Sequence, residues 1–159
     1  MRKQAVGIVV WHGKAYLPVK ARLESGLWMD LEPVHVADLN THDLLSAIEK
    51  VLAAGHPRLP DPTREEMRKR KDPVLTATQA RSWKELARTG AAYSIGWTDK
   101  EIRLDMSRLD KKGRWEWDPE KVRTFPPNTP LQDIVAVILE DIKSRPEVWQ
   151  EKTDGISPT

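Results

Sequence analysis

The chain has 159 residues, no cysteine, and 26 basic against 24 acidic side chains, for a net charge of +2. That length suits one domain with a real core, and the missing cysteines exclude disulfides, thiolate metal sites and thiol catalysis. The near-cancelling charge argues against a broad basic surface for nucleic acid, and no apolar run approaches the roughly 20 residues of a membrane helix. The early apolar run from Val6 to Trp11 is broken by Gly7 and has no small-residue cleavage site after it. The expectation is therefore a soluble, cytoplasmic protein. Seven tryptophans against one phenylalanine set the chain apart, because indoles supply core area but also anchor interfaces and stack on bases.

In chain order, Ala5–Trp11 and Ala15–Ala21 read as strands around a His12-Gly13-Lys14 turn, with Pro18 marking an edge or a bulge. Leu27–Val36 reads as a third strand. A helix is expected over residues 41–54, with Thr41 as N-cap, an apolar stripe of Leu44, Leu45, Ile48, Val51 and Leu52, and Gly55 at the C-cap. Prolines 57, 60, 62 and 73 exclude a long helix in the segment that follows. Residues 64–71 suit one or two helical turns, their acids preceding their bases by three or four positions. Ser82-Trp83-Lys84-Glu85 is a capping box that opens a short helix ending at Gly90.

Further on, Ala92–Trp97 and Glu101–Met106 read as strands flanking Thr98-Asp99-Lys100. Ile102, Leu104 and Met106 alternate with polar residues, the pattern of a sheet with one wet face. Arg114–Asp118 is a third short strand with Trp115 and Trp117 on one side. Thr129 is the expected N-cap of the last long helix, with Pro130 at its first position and Gln132 completing a capping box. Leu131, Ile134, Val135, Ile138, Leu139 and Ile142 follow at helical spacing. The residues from Arg145 onward read as a fraying tail.

The two halves match in detail. Trp11 corresponds to Trp97 and Lys14 to Lys100, 86 residues apart, Gly26-x-Trp28 to Gly113-x-Trp115 at 87, and Asn40-Thr41 to Asn128-Thr129 at 88. The reading is an α+β domain over residues 1–144, made of two pseudo-symmetric β-β-β-α units with helices packed across antiparallel sheet. The repeats cover about 5–55 and 91–143, a connector with a short helix covers 56–90, and 145–159 form the tail.

The histidines at 12, 35, 42 and 56 are scattered, and there is no His-Glu-x-x-His, no Gly-rich phosphate loop and no Gly-x-Ser-x-Gly elbow. No catalytic residue, metal ligand, cofactor or small-molecule ligand is therefore expected. Asp30 and Glu32, two apart on a strand, suit a divalent metal or acid–base work, but they flank a proline where rim charges are common. Asp118 and Glu120 echo them. Within the connector, residues 61–90 carry 8 basic and 5 acidic groups, including the run Arg68-Lys69-Arg70-Lys71. That run suits phosphates or an acidic protein face, and equally a solvated helical face balanced by Glu65, Glu66 and Asp72. Trp11, Trp28, Trp97 and Trp115 read as architecture, packing helix against sheet at equivalent places. Trp83 and Trp117 suit either role, Trp149 falls in the tail, and Trp117 and Trp149 are the interface-anchor candidates. The partner-binding candidates are Arg64, Arg68, Lys69, Arg70, Lys71, Asp30, Glu32, Trp117 and Asp118.

The residues Ala15-Tyr16-Leu17-Pro18, Gly26-x-Trp28-x-Asp30-x-Glu32-Pro33-Val34, Pro60-x-Pro62-Thr63-Arg64, Ser82-Trp83 and Trp115-Glu116-x-Asp118-Pro119 span roughly 5–143. Together they resemble a set of small bacterial immunity proteins of contact-dependent growth inhibition systems. The resemblance implies tight binding and neutralisation of a cognate toxin domain, a nuclease, and brings no catalytic residues with it. The duplicated plan also resembles the Whirly architecture, which implies the alternative of single-stranded nucleic-acid binding. His12-Gly13-Lys14-Ala15-Tyr16-Leu17 is similar to the Lys-Gly-Lys-Ala-x-Leu stretch of that group, with His12 in place of its first lysine.

Overall fold

A computed structural model describes residues 2–149, with the side chain of Trp149 outside the described part. The strands β1 (Gln4–Trp11) and β2 (Lys14–Leu23) form a hairpin closed by His12 and Gly13, both at positive φ. That conformation matches the right-handed twist of the two strands it joins. β3 (Trp28–Asp38) returns along β2, and α1 (Thr41–Ala54) follows. The connector holds β4 (Arg58–Leu59), α2 (Arg64–Lys69), α3 (Pro73–Thr78) and α4 (Trp83–Thr89). The second half contains β5 (Ala91–Trp97), β6 (Ile102–Leu109), β7 (Trp115–Trp117), β8 (Arg123–Phe125), α5 (Leu131–Lys143) and α6 (Pro146–Trp149).

All eight strands belong to one sheet, antiparallel along the order β3-β2-β1-β5-β6-β7, with β8 on β6 and β4 running parallel to β2. The seam is the β1–β5 pair, which aligns Gln4 with Trp97 and Val10 with Ala91. One face of the sheet carries the main core. Val6, Ile8, Leu17, Tyr93, Ile95 and Leu104 pack there against Ile48 and Val51 of α1 and Ile134 and Ile138 of α5. The class is thus α+β, with helices packed across an antiparallel sheet.

Several local expectations change. Asn40, not Thr41, caps α1, its side chain accepting from the Asp43 N–H at 2.8 Å. Thr129 donates its hydroxyl to the Pro126 carbonyl at 2.7 Å, so Pro130 takes the N-cap position of α5 and no side chain caps the helix. Ser82 does cap α4, but Glu85 reaches back to the N–H of Arg81. Trp11 and Trp97 do not pack equivalently: Trp11 lies on the face opposite the main core, whereas Trp97 packs against that core. The duplicated unit therefore stays a reading of the sequence. Residues 146–149, expected to belong to a fraying tail, instead form α6, and Val148 is fully buried in the main core. Residues 150–159 lie outside the described part.

The second face of the sheet is only partly covered. Val74 of α3, Ala80, and Leu86 of α4 pack on Val9 and Trp11 there, with Trp115 beside them. Beyond that patch the face is open. β1 pairs with β2 only near the hairpin, from Trp11–Lys14 to Val9–Tyr16. Further along, His56 bridges the diverging strands: the Ala5 N–H donates to its Nε2 at 3.2 Å, and its Nδ1 lies 2.9 Å from the Lys20 carbonyl. One nitrogen accepts and the other donates, which completes the backbone pairing that neither strand finishes alone.

Candidate functional site

On this open face lies a groove of about 360 Å³. Its floor is the β1–β5 seam at Gly7, Val9, Ala92 and Ser94, where strand alternation turns small side chains away from the core. One wall is indole: Trp83 opens α4, and Trp115 and Trp117 stand on β7. Trp83 and Trp115 meet edge to face, with ring centroids 6.1 Å apart, a favourable quadrupole geometry. Trp83 is 38% exposed and Trp117 48%. Beside Trp115 in the β6–β7 register, Leu109 is also exposed. The Nε1 of Trp115 is buried and has no hydrogen-bond partner among the described residues.

The opposite wall is polar. Lys20 of β2 and Asp30 of β3 are paired across the two strands and form an ion pair. The lysine chain crosses Gly7, where an added Cβ would lie 2.9 Å from its Cε. Arg70 donates to the Asp30 carbonyl. At one end, Arg2 donates to the Ser94 hydroxyl at 3.3 Å and pairs with Asp105 at 3.2 Å. Asp105, buried on β6, also pairs with Arg103 at 3.1 Å. Arg22 donates to the Arg2 carbonyl at 3.3 Å and lies over the Trp28 ring.

The structure brings Asp30 and Trp117 together on opposite walls of this groove, with Arg70 held at the Asp30 backbone. It does not join the other candidates to them. Glu32 is exposed where the β2–β3 register shifts, since Val19 pairs with Leu31 and Pro18 with Val34. Glu32 and Pro33 fall in that bulge, so the two-residue alternation behind the Asp30–Glu32 pair is interrupted. Asp118 lies 3.5 Å from Arg108 and accepts from the Glu120 N–H at 2.9 Å, both local ties. Arg64, Arg68 and Lys69 lie exposed along α2, with Lys69 paired to Glu65 at 3.2 Å, and Lys71 is exposed just beyond. The basic run is thus a solvated helical face apart from Arg70. Among the described residues, no group of three or more metal-ligating side chains gathers.

Sequence reasoning missed Lys20, Trp83 and Trp115 as members of one site, and Arg2, Arg22 and Arg103 as its charged end. Strand parity alone placed Trp115 with Trp117, but only the β1–β5 seam brings β2 and β7 to opposite sides of one groove.

A second polar cluster lies on the helix side. The Asp141 carboxylate of α5 accepts from Tyr93 Oη at 2.6 Å, Lys121 Nζ at 2.8 Å and Arg145 Nε at 2.9 Å. Burial alone would raise the Asp141 pKa, but the hydrogen bonds from Lys121 and Tyr93 and the charges of Arg145 and Lys121 outweigh it and hold it below its ordinary value. Burial first, and then the hydrogen bond to Asp141, push the Tyr93 phenol far up, so it stays a donor. These four groups tie α5 to the sheet and to the loop before β8.

No protein-family model matches the chain, and no curated protein matches it. Among solved structures, it is similar to a protein of unknown function from Neisseria meningitidis, with a TM-score of 0.60 over 90% of this chain and 97% of that one. At 10% identity that likeness shows a shared fold alone.

Proposed function

We propose that this chain is an immunity protein that binds and neutralises a cognate nuclease toxin domain of a contact-dependent growth inhibition system, acting in the cytoplasm by occlusion and without catalysis. The observation that carries this reading is the cluster of half-exposed indoles at the groove. Exposed Trp83 and Trp117 flank Trp115 on regular elements of the sheet and connector. Large aromatic side chains held on rigid structure are the usual energetic centre of a protein interface, and they need little ordering on binding. The sequence resemblance supports the same reading. Its residues recur as devices that hold this surface: Thr63 caps α2, Ser82 caps α4, and Trp115 stands in the groove wall.

The test is a tagged pulldown in about 300 mM salt, where interactions between exposed charges are screened beyond roughly 6 Å, followed by growth assays. The expected result is a stoichiometric C-terminal fragment of a large secreted protein. Expressed alone, that fragment arrests growth, and co-expression with this chain restores it. Unrelieved arrest overturns the reading. Single-stranded nucleic acid recovered at low salt and lost at high salt, with a log–log slope of about −0.7 per phosphate contacted, replaces it with the nucleic-acid alternative.

A further inference from the structure

The charge on the open face is far from the near-neutral balance of the whole chain. Arg2, Lys20, Arg22, Arg70 and Arg103 gather there around two carboxylates, Asp30 and Asp105. They come from four separate stretches of sequence, Lys20 and Arg22 sharing β2. Asp105 is shared by Arg2 and Arg103, which leaves surplus positive charge directed at solvent. Among the described residues, neither Arg22 nor Arg70 is ion-paired with a carboxylate. Each donates to a main-chain carbonyl, Arg22 to that of Arg2 and Arg70 to that of Asp30. These guanidiniums are therefore fixed in place before any partner arrives, which lowers the ordering cost of recognition.

We infer that the groove seats an acidic polypeptide segment with a bulky apolar side chain, the apolar group among Trp83, Trp115 and Trp117 and the carboxylates at the Arg2–Arg22–Arg103 end. The inference rests on the binding-protein reading above and names the docking chemistry of its partner. The groove is divided along its length. The indole end faces one carboxylate across the groove, Asp30, while Glu116 of β7 alternates to the other side of the strand and pairs with Arg108 at 3.1 Å. The arginine end is continuous with it through the contact of Arg2 with Ser94 on the groove floor. A nucleic-acid strand carries a phosphate at every nucleotide and must bring some past Asp30. A polypeptide can place apolar and acidic residues separately, and so complements both ends.

The test uses the full chain and its tryptophan fluorescence. It is titrated with a synthetic Glu-Glu-Phe-Leu-Glu-Glu peptide, with the same peptide carrying lysine in place of glutamate, with Glu-Glu-Ala-Ala-Glu-Glu, and with oligothymidylate. Saturable binding is expected only for the first. Trp117→Ala weakens it about tenfold or more, the scale of an interface anchor. Arg22→Gln with Arg103→Gln weakens it and flattens its salt dependence. Trp117 is exposed on a short edge strand, and unchanged circular dichroism and melting in each variant separates lost contacts from lost fold. Equal binding of the lysine peptide, or acidic-peptide binding untouched by these substitutions, overturns the inference. Oligothymidylate binding that falls with Trp117→Ala overturns it in favour of nucleic acid. A toxin neutralised equally by a variant that combines Trp117→Ala, Arg22→Gln and Arg103→Gln leaves the immunity reading standing and removes the groove from it. Acidic-peptide binding with no toxin neutralised does the reverse.

Discussion

Replacing Asp141 by asparagine keeps the shape of the side chain and removes the charge that three donors share. The Asp141 side chain is 10% exposed, Arg145 14% and Lys121 39%. Breaking a buried ion pair from one side costs about 3–5 kcal/mol. Here Lys121 can turn to water, and Arg145 keeps its 2.6 Å bond to the Ser107 carbonyl, so the expected loss is about 2–3 kcal/mol. For a chain of this size that lowers Tm by about 4–12 °C. The folded pKa of Asp141 is depressed. Its contribution is therefore fully present above the unfolded carboxylate value of about 3.9 and is lost as pH falls through the lower, folded value. Urea unfolding of the native chain and the Asp141→Asn variant should show the full gap at neutral pH, closing below about pH 4. A variant within about 0.5 kcal/mol of native at neutral pH, or a gap that persists unchanged in acid, refutes this account of the cluster.

Gly90 sits where backbone meets backbone, since an added Cβ would lie 2.5 Å from the Leu86 carbonyl oxygen and 2.6 Å from that of Val10. Gly90→Ala should cost about 1–3 kcal/mol by overpacking, read by urea unfolding, and a neutral result would show that α4 is not seated against β1. Helix capping gives a paired comparison: Asn40→Ala should cost about 1 kcal/mol, the usual loss of an N-cap. Thr129→Ala should cost clearly less in the same measurement, because Thr129 does not cap α5.

Much of the architecture was legible because local chemistry and tertiary contacts agree. The turn at His12-Gly13, the stripe from Leu44 to Val51 and the one from Ile134 to Ile142 each specify an element without help from distant residues. Pro18 announced a bulge, and the register does shift after it. α3 was not legible: it is six residues long, rich in β-branched side chains, and started by Pro73 after an Asp72 cap. Its stability comes from the burial of Val74 against the sheet, which no local pattern reports. The candidate site was legible only in fragments. Asp30 and Trp117 stand out as charge and exposed indole, but their shared groove depends on the pairing of β1 with β5. The basic run drew attention by density alone, while the arginines that line the open face are isolated in sequence and meet only in space.

The β1–β5 seam also sets an order of assembly. Its partners Val10 and Ala91 are 81 positions apart, and Gln4 and Trp97 are 93 apart, whereas the hairpins on either side close over a few residues. Loop closure makes distant pairings slow to form and local ones quick. Each half therefore gains its hairpin early and then holds an unsatisfied inner edge until the other arrives, the state in which chains most readily associate wrongly. The floor of the groove straddles that same seam. A nascent chain that has completed only its first ninety residues holds the Gly7–Val9 half of the floor and Trp83 but lacks Ala92, Ser94, Trp115 and Trp117, so the groove exists only once the seam has closed.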